Sequence, residues 1–281
     1  PAAADAANPY LALFEAVLEA QLRLIASWVH VGFVHGVMNT DNVAISGETI
    51  DFGPCAFLDA YSAKTVFSSI DEHGRYAFGN QPVIGRWNLT QLGSALAEIV
   101  AEVDPQGVDA MNALLSGYGE RYLAAWLAGM ISKLGLTQLK DGDLDLANRL
   151  FVVMEGQEVD YTNLFRNLAR SLTSGREIVT AMFAEQGEID AWLDDWHARL
   201  ADDMAIAPEA RAAAMDAINP LYIPRNHKVE EALSAAVQGD LMPYSKLLEV
   251  VTNPFVERPE WSDYAQPAPA GSPPCITFCG T

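Results

Sequence analysis

Two oxygen-bearing side chains, Asn42 and Asp51, have the types and the spacing of a site for a hard divalent metal ion. Two short β-prone runs lie between them, 43–46 and 49–52, and a Gly-Glu pair separates the runs. Glycine at the first central position of a two-residue turn favours a type II′ hairpin. Such a hairpin would bring the Asn42 amide oxygen and the Asp51 carboxylate together, and Mg²⁺ prefers such ligands beside water and phosphate oxygens. Taken singly, each residue is more typical of an ordinary turn than of a metal site.

The residues around this pair follow the spacing of a protein-kinase catalytic loop. In that loop a His precedes the metal-binding Asn, and Asp-Phe-Gly follows after a strand pair. Here His35 precedes Asn42 by seven positions, and residues 51–53 read Asp-Phe-Gly. The place of the kinase catalytic Asp is taken by Val37, which cannot accept a proton, while a carboxylate lies nearby at Asp41. The pattern predicts retained metal ligands, a changed general base and a structural role for His35.

Nine short segments, spread over nearly the whole chain, resemble the selenoprotein O family and occur in that family's order. They are 35–42, 50–54, 74–78, 81–82, 87–89, 160–166, 219–220, 225–226 and 278–281. The resemblance implies a pseudokinase fold that binds ATP in a flipped orientation. It also implies that such a protein moves AMP, and not phosphate, onto Ser, Thr or Tyr hydroxyls of other proteins.

The resemblance further implies a role for each polar residue of the loop. Asn42 and Asp51 would hold Mg²⁺ or Mn²⁺, and Asp51 would thereby contact the ATP substrate. Asp41 would be the general base for the attacking hydroxyl, although Asp at this position is also typical of a helix cap.

Two arginines, Arg75 and Arg86, are scarce cations near this acidic site. Either is suited to contact phosphate, and either is equally suited to a structural ion pair with Asp59. Arg75 is the better candidate for nucleotide binding because it lies in the loop after Asp-Phe-Gly.

The three cysteines differ in what they indicate. Cys279 is the third residue from the C-terminus, where some members of the resembled family carry selenocysteine, and Cys275 lies four positions earlier. The resemblance implies a disulfide between the terminal Cys and a Cys in the activation-loop region. Here that loop, 66–70, contains no Cys, so Cys55 is the only distant partner, and a free thiol is the alternative.

Composition excludes several classes of protein. The 281 residues include 17 basic and 37 acidic side chains, which gives a net charge of −20 and argues against nucleic acid or an anionic membrane as the main partner. No apolar run approaches the roughly 18 residues of a transmembrane helix, and the first residues do not resemble a secretory signal. Three cysteines do not make a disulfide scaffold. We therefore expect a cytoplasmic protein.

Helical periodicity over most of the chain predicts a mainly α fold, a kinase-like C-lobe with one short hairpin at 43–52 and a C-terminal helical extension. We expect this unit to span 1–252 and an irregular, Pro-rich tail to span 253–281. The predicted helices are 9–30, 82–103, 107–134, 143–155, 158–172, 174–185, 188–203, 226–237 and 240–251.

No glycine-rich phosphate loop is present, so the kinase-like N-lobe is expected to be missing from these residues. We expect this chain alone to bind ATP weakly and to transfer nothing, with the N-lobe or another chain covering apolar surface near Phe52 and Phe57. Two alternatives remain. One is a helical scaffold without nucleotide activity, and the other is a small-molecule phosphotransferase of the aminoglycoside-kinase type, whose loop usually keeps the Asp that Val37 replaces.

Overall fold

The computed structural model describes residues 2–278, and the prediction of a mainly helical chain is confirmed. The elements in chain order are α1 (Pro9–Val31), β1 (Phe33–Val34), β2 (Ala56–Phe57), α2 (Gln81–Val103), α3 (Gly107–Ser116), α4 (Tyr118–Lys133), α5 (Asp143–Met154), α6 (Tyr161–Ser174), α7 (Glu177–Thr180), α8 (Gly187–Ala201), α9 (Pro208–Asp216), α10 (Asn226–Val237), α11 (Met242–Val251) and α12 (Ser262–Ala265). Short 3₁₀ turns occupy Ala2–Asp5, Thr40–Asn42, Phe78–Asn80 and Pro259–Trp261. Within 2–278, none of the helices has the length and apolar content needed to cross a bilayer.

Helix α1 begins and ends where local sequence signals predict. The Asn8 side chain accepts a hydrogen bond from the Leu11 N–H, and Pro9 occupies the first turn. Gly32 ends the helix with φ 74°, in the left-handed region that favours glycine. A Cβ at Gly32 would lie 2.9 Å from the Tyr161 ring, so α6 packs directly against this helix end.

The core lies mainly beneath helices α4, α5, α6 and α8, while α1 packs against α2 and α4. Trp192 and Trp196 of α8 are fully buried and stacked, with ring centroids 5.9 Å apart. Their indole N–H groups donate to the carbonyls of Leu146 and Leu134. These large side chains fix α8 on α5 and α4, because each buried indole finds a backbone acceptor.

The predicted hairpin at 43–52 forms only in part, as one antiparallel bridge with a turn at a different position. A two-stranded antiparallel ladder does form, but it pairs β1 with β2 and closes the base of the loop 35–55. Inside this loop only the isolated bridge Val43–Thr49 joins the two β-prone runs. The turn begins at Ala44, whose carbonyl accepts from the Gly47 N–H at 3.0 Å, so glycine is the last residue of the turn and not its first central one.

Helix α1 explains this difference. The Gln21 side chain donates to the Ala44 carbonyl, and the Trp28 indole N–H donates to the Thr49 hydroxyl at 2.9 Å. A Cβ at Gly47 would lie 2.7 Å from the Ala20 Cβ, so the turn rests against α1. Contacts with the helix replace the cross-strand hydrogen bonds of a regular hairpin.

Three helix predictions need correction. The helix expected at 107–134 breaks at Gly117 into α3 and α4. The helix expected at 174–185 shrinks to α7, because bonds of the i→i−3 type follow it and turn the chain to bury Phe183. Helix α9, which has Pro208 in its first turn, was not predicted.

The C-terminal segment is less irregular than predicted. It contains the 3₁₀ turn Pro259–Trp261 and helix α12. Trp261 is buried against Tyr222, with ring centroids 5.6 Å apart. This contact fastens the segment to the connector before α10.

Candidate functional site

The centre of the candidate metal loop follows β1 and consists of His35, Val37 and Asn42. His35 is buried, and its Nε2 lies 2.8 Å from the Ile50 carbonyl, while the Val37 N–H points to its Nδ1 at 3.4 Å. The Asn42 amide donates to the Val37 carbonyl at 3.1 Å. Burial lowers the pKa of His35, although the Ile50 hydrogen bond and the Asp51 charge oppose this shift. A neutral imidazole with its proton on Nε2 satisfies both contacts, which agrees with the structural role predicted for His35.

Asp51 is held in an uncommon backbone conformation. Its φ is 54°, in the left-handed region that costs a non-glycine residue about 1–3 kcal/mol. The hydrogen bond between His35 and the Ile50 carbonyl fixes the residue immediately before it. Gly36 lies beneath the same turn, where an added Cβ would meet the Pro54 carbonyl oxygen at 2.5 Å. The loop therefore fastens both candidate metal ligands to the segment from His35 to Val37.

Helix α2 supports this loop from below through two buried amides. The Gln81 Oε1 accepts from the His35 N–H at 3.0 Å, and its Nε2 donates to the Phe33 carbonyl at 2.9 Å. The Asn88 amide donates to the Met38 carbonyl at 3.0 Å. Sequence reasoning gave these residues no role, although both lie in segments that resemble the selenoprotein O family.

The donor set fits a hard divalent cation. Because the Asn42 nitrogen is engaged with Val37, its amide oxygen is the atom left for a ligand. Within residues 2–278, no group donates a hydrogen bond to the Asp51 carboxylate. The described residues contain no cluster of three His, Cys, Asp or Glu ligands, so a metal held here would complete its coordination with phosphate and water.

Asp41, the predicted general base, is exposed in the 3₁₀ turn directly before Asn42. No group of residues 2–278 donates a hydrogen bond to its carboxylate. Val37, at the position of the kinase catalytic Asp, is buried. The carboxylate of Asp41 is thus open to a substrate at the rim of the loop.

Arg75 is held beside the loop by aromatic side chains. Its guanidinium carbon lies 4.7 Å from the Trp87 ring centroid and 5.6 Å from that of Tyr76. The Tyr76 hydroxyl donates to the Asn39 side chain of the loop. Arg75 is exposed and forms no ion pair within the described residues, so its predicted role at phosphate stays a prediction.

The suggested ion pairs of Asp59 with Arg75 or Arg86 are wrong. Asp59 pairs instead with Arg225, whose Nη1 lies 2.6 Å from Asp59 and 2.7 Å from Asp160. Arg225 is fully buried. Burial opposes its charged form, yet the two carboxylates raise the pKa of Arg225 on balance. This cluster fixes the segment after the loop to α6 and to the start of α10.

Two of the three cysteines, Cys55 and Cys275, lie among the described residues. Cys55 is a free, half-buried thiol, and burial raises its pKa to about 11. Cys275 is also free, and burial raises its pKa. Both thiols are therefore protonated near neutral pH and are weak nucleophiles. Cys279 lies outside the described residues, so its predicted redox role stays a prediction.

The apolar surface expected above the loop is present at Phe52, which is 62 % exposed. Phe57 instead packs on Phe33, with ring centroids 5.2 Å apart. What covers Phe52 stays a prediction.

Comparison with known proteins places these residues in one family. A family described as protein adenylyltransferase SelO matches residues 1–252. A protein nucleotidyltransferase YdiU from Rhizobium johnstonii is 50% identical over 100% of this chain and 57% of its own length. The YdiU proteins of Sphingopyxis alaskensis and Cereibacter sphaeroides are each 50% identical to this chain over its whole length. The matched regions cover 58% of the Sphingopyxis protein and 57% of the Cereibacter protein. The chain thus spans less than two thirds of these relatives, and it belongs to the protein adenylyltransferase SelO family.

Proposed function

We propose that this chain forms the metal-binding part of an enzyme that transfers AMP from ATP to Ser, Thr or Tyr hydroxyls of proteins. Membership of the SelO family supports nucleotidyl transfer. The arrangement of His35, Val37 and Asn42 supports a kinase-like loop, because buried contacts hold it at the spacing expected of such a site.

Each residue has a distinct role in this proposal. Asn42 and Asp51 hold Mg²⁺ or Mn²⁺ through oxygen atoms, and Arg75 contacts a phosphate of the nucleotide. A bound divalent ion supplies charge neutralisation for phosphate oxygens in a chain of net charge −20. His35, Gln81 and the Val37 backbone keep the ligands in place and take no part in the bond changes.

In the transfer step, the hydroxyl oxygen of the target attacks the α-phosphorus of ATP. A bond forms between these two atoms, and the bond from the α-phosphorus to the bridging oxygen of the β-phosphate breaks. The products are the AMP-modified target and pyrophosphate. Asp41 accepts the hydroxyl proton, since Val37 cannot.

Two competing functions predict different products. A small-molecule phosphotransferase would move the γ-phosphate, and its loop usually has an Asp at the position of Val37. A helical scaffold would transfer neither group. The buried valine at this position is the observation that favours AMP transfer over phosphate transfer.

The position of the label in ATP distinguishes these functions. The full-length protein is incubated with Mg²⁺ or Mn²⁺, a protein target, and ATP labelled at either its α-phosphate or its γ-phosphate. We expect label on the target only from the α-labelled ATP. Transfer of the γ-label to an aminoglycoside added to the same reaction would support the phosphotransferase, and no transfer to either acceptor would support the scaffold.

Two variants connect the activity to the loop. Asp41→Asn and Asp51→Asn should each abolish labelling. Glu48→Gln is the matched control, because Glu48 is an exposed carboxylate of the same loop whose side chain, within residues 2–278, accepts a hydrogen bond from Ser46 alone. Equal loss in all three variants would contradict the assigned roles.

A further inference from the structure

A residue near the C-terminus pairs with the segment that follows the candidate metal loop. The Thr277 N–H donates to the Phe67 carbonyl at 2.9 Å, and the Ser69 N–H donates to the Thr277 carbonyl at 2.9 Å. These bonds form a parallel β-bridge centred on Ser68. The Thr277 hydroxyl also donates to the Pro54 carbonyl at 2.6 Å, directly after the Asp-Phe-Gly sequence.

Segment 67–69, called the edge here, is a fixed stretch of backbone that presents one bridge position, at Ser68, and is not part of a regular strand. Phe67 belongs to the main core, and Ser68 is buried. Thr65, two residues earlier, accepts from the Phe78 N–H at 3.0 Å, which fastens the segment to the turn before α2. The outward groups of this segment, the Phe67 carbonyl and the Ser69 N–H, pair with Thr277. The same two groups are able to pair with another extended segment.

Besides Thr277, the segment is attached at two places: Cys275 packs against the main core, and the Ala268 N–H donates to the Asp59 carboxylate at 3.4 Å. Residues 269–274 are all exposed and include three prolines. Ile276 and Phe278, on either side of Thr277, are 52% and 71% exposed. Segment 66–70 contains no Cys, and within residues 2–278 the bridge is held by hydrogen bonds. Such an occupant is able to exchange with another extended segment of similar chemistry.

We propose that the edge 67–69 is the docking site for an extended segment of the protein target, and that Thr277 occupies this edge until the target displaces it. The inference rests on the proposed function, since it names how the substrate of that reaction binds. The segment that fits has Ser or Thr at the position of Thr277, where the hydroxyl meets the Pro54 carbonyl.

Charge adds a second requirement for the target. Asp71 and Glu72 directly follow the edge, and the chain has a net charge of −20. Lys or Arg beside the docked hydroxyl residue would be attracted by this net negative charge, mainly through faster association. We therefore expect an extended segment that is flanked by basic residues to bind faster than one flanked by acidic residues.

The first test measures binding to the edge without any chemistry. The probe is a fluorescent peptide with the sequence of residues 272–278. The proteins are full-length wild type and Thr277→Pro, which removes both the N–H and the hydroxyl of the internal occupant. Ala270→Pro is the matched control, because it adds a proline to the same segment at an exposed residue outside the bridge.

We expect Thr277→Pro to bind the peptide at least about tenfold more tightly than wild type, because the internal competitor is gone. Ala270→Pro should match wild type. Adding Ser69→Pro to Thr277→Pro should abolish the gain, since it removes the donor of the edge. Equal affinity in Thr277→Pro and wild type, or a gain that survives Ser69→Pro, would overturn the proposal.

Two further measurements keep this inference separate from the proposed function. Amide hydrogen exchange at Ser69 should be faster in Thr277→Pro than in Ala270→Pro, because the Ser69 N–H loses its acceptor. Equal hydrogen-exchange rates would contradict the proposal that Thr277 protects this N–H. In the transfer assay, Thr277→Pro should lower the KM for the protein target and leave the KM for ATP unchanged. Absence of transfer together with tight peptide binding would refute the proposed reaction and not the edge. Transfer with an unchanged target KM would refute the edge and not the reaction.

Discussion

Gln81 gives the sharpest prediction about how the metal loop is held. Its side chain is fully buried and contacts the loop through two backbone groups, the His35 N–H and the Phe33 carbonyl. Replacing Gln81 with Leu keeps a similar side-chain size but removes both hydrogen-bonding partners. The two backbone groups then remain buried, since α2 still covers them.

The expected cost follows from these two groups. An unsatisfied buried donor or acceptor costs about 1–3 kcal/mol, so Gln81→Leu should lower the free energy of unfolding by about 2–6 kcal/mol. Water entering beside β1 would bring the loss toward the lower end of this range. Gln91→Leu is the matched control, because Gln91 is exposed on the same helix and should change stability by less than about 0.5 kcal/mol.

Urea denaturation monitored by tryptophan fluorescence measures both variants. We predict a clearly lower midpoint for Gln81→Leu and an unchanged midpoint for Gln91→Leu. If the two variants unfold at the same urea concentration, the loop does not depend on the Gln81 amide.

Three further predictions concern stability. Arg225→Met leaves the Asp160 carboxylate buried without its cation and should lower the free energy of unfolding by about 3–5 kcal/mol in urea denaturation, and a loss below about 1 kcal/mol would contradict the buried cluster. Burial lowers the pKa of Lys133 from its ordinary value of 10.5 to about 7. Between pH 7 and pH 10.5, Lys133 therefore carries a proton in the unfolded chain but not in the folded chain. The stability of wild type relative to Lys133→Met should therefore rise with pH across this window by up to about 5 kcal/mol when both proteins are denatured in urea; parallel curves would refute the shift. Gly36→Ala, at φ 88°, should lower the melting temperature, whereas Gly119→Ala, where an added Cβ meets nothing within 4 Å, should not, and equal melting temperatures would argue against the close contact with the Pro54 carbonyl.

Local signals in the sequence were enough to predict α1. Asn8, Pro9 and Gly32 act on neighbouring backbone groups, so their effect is visible without knowledge of the fold. The turn after Val43 could not be predicted in the same way. Its hydrogen-bonding partners are Gln21 and Trp28, and their contribution depends on how α1 packs against the loop.

For the candidate site, too, local sequence patterns were predictable and tertiary contacts were not. The spacing of His35, Asn42 and Asp51 predicted a common loop, in which His35 contacts the Ile50 carbonyl just before Asp51 and Asn42 donates to the Val37 carbonyl. The partner of Asp59 could not be predicted, because Arg225 lies 166 positions away and several arginines have suitable chemistry. Pairing over such a distance is determined by tertiary packing and not by local pattern.

Binding of Mn²⁺ together with ATP tests the central claim most directly, namely that Asn42 and Asp51 hold a metal ion at the nucleotide. Electron paramagnetic resonance reports the fraction of Mn²⁺ that is bound by the full-length protein in the presence of ATP. We predict that Asp51→Asn and Asn42→Leu each weaken this binding by at least about tenfold, since loss of a ligand should cost no less than loss of its supporting contacts. Glu48→Gln should bind as wild type does. Wild-type affinity in both ligand variants would contradict the account.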